Sequence, residues 1–76
     1  MVEFETIKCT EIMFGKSNFI EIARKKAVTP EGENEFISLS RGFYMLDKQK
    51  RYRKSLTIPI SKEVVDFVSE KIKEML

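Results

Sequence analysis

Residues 51–60, RYRKSLTIPI, decide the fold. Leu56, Ile58 and Ile60 recur at every second position, with Arg51, Arg53, Ser55, Thr57 and Pro59 on the alternate ones. That spacing is the period of a half-buried strand, apolar toward a core and polar toward water. Pro59 has no N–H for a ladder, so this strand end belongs at a sheet edge or just beyond its last pairing. Ser61 follows as a helix N-cap, with Glu63 favourable in the first turn and Lys71 and Lys73 near the end. Over 62–76 the period becomes helical. Val64, Val65, Phe67, Val68, Ile72, Met75 and Leu76 cover an arc of roughly 180°, interrupted only by Lys71.

Upstream, the same alternation recurs. In 35–45 (EFISLSRGFYM), Ile37 and Leu39 alternate with Phe36, Ser38 and Ser40; in 19–28 (FIEIARKKAV), Ile20 and Ile22 oppose Phe19 and Glu21. Residues 3–14 (EFETIKCTEIMF) mix β-branched and aromatic residues with charges, as a strand with room for a bulge does. Gly15–Asn18 reads as a turn, and Thr29–Asn34 has proline and glycine placed for a type I turn. Leu46–Lys50 is a polar connection. The sequence therefore predicts one α+β domain over 1–76. Its strands at 3–14, 19–28, 35–45 and 51–60 form a four-stranded antiparallel sheet, followed by the C-terminal helix 62–76.

The helix arc is wider than the ~100° stripe that seats a helix on one sheet. Four strands at ~4.8 Å spacing span ~19 Å, whereas a helix is only ~10 Å across. One helix leaves apolar sheet uncovered, so a second copy is expected to cover it, with Val64, Phe67, Val68, Ile72 and Met75 at the dimer interface. Small chains gain stability from disulfides, metals or partner subunits. Cys9 is the single cysteine and there is no histidine, which rules out an internal disulfide and a zinc ligand set of the usual kind. Cys9 reads as a small buried hydrophobe. No secretory leader pattern opens the chain and no apolar run nears the ~20 residues of a membrane span, so a cytoplasmic protein is expected. Lys and Glu dominate the 34% of charged residues, a bias shared with hyperthermophile proteins.

No histidine base, phosphate-binding glycine loop, dinucleotide fingerprint or nucleophile elbow is present. Glu31, Glu33 and Glu35 cluster in a Pro/Gly turn, where solvation accounts for them. Binding without catalysis, cofactor or metal is the expectation. The positive charge is concentrated in the middle of the chain, where Lys48-Gln49-Lys50-Arg51-Tyr52-Arg53-Lys54 sets five cations around a tyrosine. Cations neutralise phosphates and an aromatic among them offers a plane for a base; a solvated lysine-rich loop is the competing account. Phe19 and Phe36, out of phase with their strands' aliphatic residues, are expected on the face away from the helix, either as exposed stacking rings or turned inward by a bulge.

Arg41-Gly42-Phe43-Tyr44 is similar to the start of the RNA-recognition-motif signature, but residues 1–35 lack the helix that fold needs between its first two strands. Gly42 instead marks a bend or bulge. A broader resemblance runs over 19–76. The strand Phe36-Ile37-Ser38-Leu39-Ser40, the aromatics Phe43 and Tyr44, the basic stretch Lys48–Lys54 and Ser55-Leu56-Thr57-Ile58-Pro59-Ile60-Ser61 lead into Glu63-Val64-Val65-Asp66-Phe67. This order resembles the transcriptional positive cofactor four fold, its Whirly relatives and, most of all, the archaeal ThermoDBP-related proteins. The chain departs from the cofactor pattern in lacking a tryptophan at the helix start and in carrying Pro-Glu-Gly-Glu one hairpin early. The resemblance implies a dimer with helices at its interface and single-stranded DNA or RNA bound with little sequence specificity. By position it implies Lys50, Arg51, Arg53 and Lys54 on the nucleic-acid backbone and Phe43, Tyr44 and Tyr52 as stacking rings. Lys16, Phe19, Phe36 and Arg41 complete the expected site. A protein-assembly module and a non-specific duplex-DNA binder are the alternatives.

Overall fold

The computed structural model describes residues 2–76. Its elements are β1 (Glu3–Phe14), β2 (Asn18–Thr29), β3 (Gly32–Tyr44), β4 (Lys50–Pro59) and α1 (Lys62–Glu74). The strands form one antiparallel sheet in the order β1-β2-β3-β4, each paired with its neighbour in sequence. Four strands followed by one helix is the predicted architecture. The second hairpin is tighter than predicted. Thr29 pairs with Gly32, leaving Pro30 and Glu31 as the loop. The Thr29 hydroxyl donates to the Gly32 carbonyl at 3.1 Å and accepts from the Glu31 N–H at 3.2 Å. Gly32 has φ 144°, a conformation L side chains rarely adopt. At the helix start Ser61 Oγ accepts from the Val64 N–H at 3.4 Å, the expected cap.

Pairing register sorts the side chains onto two faces. Ile20, Ile22, Ile37, Leu39, Leu56 and Ile58 share one. Helix α1 lies along this face, leaving a cavity of about 190 Å³ lined by sheet residues and by Val65, Val68 and Ile72. Coverage is partial. Ile22, Leu56 and Ile72 are about half exposed, and a cleft of about 510 Å³ opens among Ile20, Ile22, Leu39, Leu56 and Ile72, with Arg41 and Lys54 also in its wall. Of the residues predicted at an interface, Val68 and Ile72 line the helix–sheet cavity, whereas Val64, Phe67 and Met75 are exposed.

The deepest burial is on the opposite face, where Phe19, Glu21, Ala23, Ser38 and Ser40 are buried. Phe19 and Ala23 are the only buried hydrophobic residues among those described. The cause is what lies over each face: Tyr44, Lys50 and Tyr52 from β3 and β4 close over Phe19 and Glu21 on this one, while a single helix half-covers the aliphatic one. Ser38, Ser40 and Ser55 join their hydroxyls here, with Ser40 to Ser55 at 2.9 Å. Cys9, expected to be buried, is exposed because β1 is an edge strand with nothing outside it. Partial desolvation and the Glu21 carboxylate hold its thiol above the ordinary pKa, so little thiolate forms.

Chain dimensions reflect the open face. A compact monomer of this mass exposes roughly 4,800 Å², whereas this one exposes 6490 Å². Its radius of gyration is 14.4 Å, against roughly 11.4 Å for a globular chain of this length. Among the described residues, no helix is long and apolar enough to cross a membrane.

Candidate nucleic-acid interface

One irregularity sets up the site. Arg41 pairs with Lys54 but Gly42 pairs with Tyr52, which leaves Arg53 as an extra residue in β4. Such a bulge shifts the two-residue alternation by one step. Beyond it Tyr52 joins the face of Phe19, while Arg51, paired with Phe43, turns to the helix-bearing face. This corrects the prediction that Arg51 shares a face with Ser55 and Thr57, which assumed an unbroken strand. A second bulge, predicted for the first strand, lies between Thr6 and Lys8.

The bulge gathers Arg41, Phe43, Arg51, Arg53 and Lys54 at one end of the sheet. The Gly15–Ser17 turn and the 45–49 loop adjoin it, tied by the Tyr44 N–H donating to the Ser17 carbonyl at 2.8 Å. Two arginines lie against rings: the Arg53 guanidinium is 6.0 Å from the Phe43 centroid and that of Arg41 is 5.8 Å from Phe14. Arg51 Nε donates to Met45 Sδ at 3.2 Å. Asn18, Arg41, Gly42, Phe43, Arg53 and Lys54 enclose a cleft of about 330 Å³.

Charge is segregated here. Arg24, Lys26, Lys50, Lys62 and Lys71 each have a carboxylate within 4.0 Å. Among the described residues, the other nine of the 14 Lys and Arg have none, and six of those nine (Lys16, Arg41, Lys48, Arg51, Arg53 and Lys54) belong to this end of the sheet or its adjoining turns. Unpaired cations that close together make a local positive potential that a net charge of +2 does not reveal.

Lys50 is not among them. It sits on the other face, its ammonium 2.5 Å from Glu21 Oε2 and 3.1 Å from Glu11 Oε1. The rings of Phe19, Tyr52 and Tyr44 surround it, with centroids at 4.6, 5.2 and 5.9 Å. The Tyr52 hydroxyl donates to Glu21 at 2.9 Å and that of Tyr44 to Glu11 at 2.7 Å. All four strands contribute. Desolvation pushes the Glu21 pKa up, but hydrogen bonds from Lys50 and Tyr52 outweigh it and leave it lowered. Glu11 is lowered by its bonds from Tyr44 and Lys50. Desolvation opposes the charge on Lys50, yet bonds to Glu21 and Glu11 hold its pKa well above the ordinary value.

Several expected site residues are thereby reassigned. Phe19 is fully buried and cannot stack on a base; Tyr44 and Tyr52 cover it at centroid distances of 5.4 Å. Lys50 is neutralised internally, and both tyrosine hydroxyls are committed to glutamates. Phe36, half-buried, meets Phe4 edge-on at 6.2 Å on that same face, far from the basic end. Sequence reasoning missed Asn18 and Phe14, whose only signal was that they flank a glycine turn and so must pair. No family model, no curated protein and no solved structure matches this chain.

Proposed function

We propose that this chain is a homodimeric, single-stranded nucleic-acid-binding protein with little sequence specificity. The observation that carries the reading is the group Arg41, Arg51, Arg53 and Lys54, which no described carboxylate neutralises and which surrounds the Phe43 ring. Unpaired guanidiniums suit phosphates, and a ring among them offers a surface for an unstacked base, which a duplex keeps hidden. The strand and helix order agrees with what the resemblance to positive cofactor four implies. Self-association is supported by area: the chain exposes roughly 1,700 Å² beyond a compact monomer. That is the scale one partner contributes to an obligate interface.

The test is a titration of labelled poly-dT, poly-U and duplex DNA at several salt concentrations. Single strands should bind more tightly than duplex, with log K falling by about 0.7 per log unit of salt for each phosphate neutralised. Absence of single-strand binding at about 50 mM salt, where electrostatic attraction is strong, would overturn the reading. A second reading, a module that assembles with another protein, is favoured by the 510 Å³ apolar cleft beside Ile72. It expects no oligonucleotide affinity at all.

A further inference from the structure

We infer that the cleft among Asn18, Phe43, Arg41, Arg53 and Lys54 is a subsite for one nucleotide unit, taking the phosphate on its cations and the base against Phe43 and Asn18. The inference rests on the single-strand reading and specifies how that surface engages its ligand. Size is the first argument. A volume of about 330 Å³ lies at the lower end of the ~300–1,000 Å³ of small-ligand sites, room for one nucleotide and not for a run of them.

Chemistry is the second. The Arg41 guanidinium is 5.8 Å from the Phe14 centroid and that of Arg53 is 6.0 Å from the Phe43 centroid, so each cation has an aromatic neighbour. A guanidinium within cation–π range of a ring still has its N–H fork for a phosphate oxygen pair. Lys54 adds a third charge from the strand position paired with Arg41. Phe43 brings an apolar plane to the cleft, and the Asn18 amide can both donate to and accept from a base edge. Gly42 contributes backbone to this wall. Cation, ring and amide within one small cleft match the three parts of a nucleotide better than they match phosphate alone.

The wild-type protein is titrated with thymidine 5′-monophosphate, thymidine and inorganic phosphate, followed by backbone amide shifts and by displacement of labelled oligo-dT. The nucleotide should bind at least about tenfold more tightly than either fragment and move the amides of Asn18, Gly42 and Arg53. Phe43→Leu should erase its advantage over phosphate and Arg53→Gln its advantage over thymidine, with thermal melts checking that each variant folds. The wild-type comparison stands even if a variant does not. Oligo-dT binding without preference for the nucleotide over phosphate overturns this inference alone. Binding of neither overturns the single-strand reading with it.

Discussion

The carbonyl oxygen of Arg51 occupies the space that a side chain on Gly42 would need: a β-carbon there would stand 2.1 Å from it and 2.7 Å from Phe19 Cζ. The absent side chain thus serves both faces at once. It lets β4 bulge inward, which turns Arg51 and places Arg53 beside Phe43, and it lets the Phe19 ring lie flush with the sheet.

Gly42→Ala should therefore damage stability and binding together. Overpacking ordinarily costs about 1–3 kcal/mol, and here the obstacle is backbone, so a loss at or above the upper end is expected. Denaturant melts and oligonucleotide titrations on the same samples check this. An alanine variant with unchanged melting and affinity would show that the bulge does not depend on glycine.

Replacing Lys50 with Met should cost about 3 kcal/mol or more, because Glu21 is left buried with its charge uncompensated. The wild type should also lose stability in acid. Glu11 and Glu21 are lowered in the folded state, so their contribution is present above their ordinary pKa of 4.5 and is lost as pH falls below it. Lys50, raised when folded, contributes fully below its ordinary 10.5, so it adds no loss in acid. Melting temperatures taken between about pH 8 and pH 3 should trace that acid limb, and it should shrink in Lys50→Met, where Glu21 no longer gains from ionising.

Gln at Arg41, Arg51, Arg53 and Lys54 together should flatten the dependence of log K on log salt by about 2.8, at 0.7 for each phosphate left without its cation. Lys50→Gln, although it lies in the same basic run, should leave the slope unchanged because its charge is already matched inside the protein. Equal slopes for quadruple variant and wild type would place binding elsewhere.

Phe67 is 61% exposed in the single chain, so Phe67→Asp costs a monomer little and a helix-mediated dimer much. The variant should dissociate, as read by light scattering, and melt at lower temperature. Wild-type melting temperature should rise with protein concentration. A wild type that stays folded and monomeric at micromolar concentration removes the dimer.

Much of this architecture was legible because alternation is local: Leu56, Ile58 and Ile37, Leu39 declare their face within five residues. The bulge was less legible, since nothing in Arg51-Tyr52-Arg53-Lys54 says which residue is extra. Gly42 hinted at an irregularity in β3, while its effect on side-chain direction falls in the partner strand. Phe19 was ambiguous for a related reason. Periodicity assigns it to the face away from the helix, but the residues that bury it come from positions 44, 50 and 52 and arrive only through strand pairing.

That covering has a kinetic consequence. Each strand pairs with its sequence neighbour, so successive hairpins can zip outward from their turns without closing long loops first. Yet a chain folded only through β2 carries Phe19 bare, awaiting Tyr44 from the end of β3 and Tyr52 from β4. Shielding begins with Tyr44 and is complete only when the last strand brings Tyr52. A nascent or proteolysed fragment ending before residue 50 is thus the form of this protein most prone to aggregate.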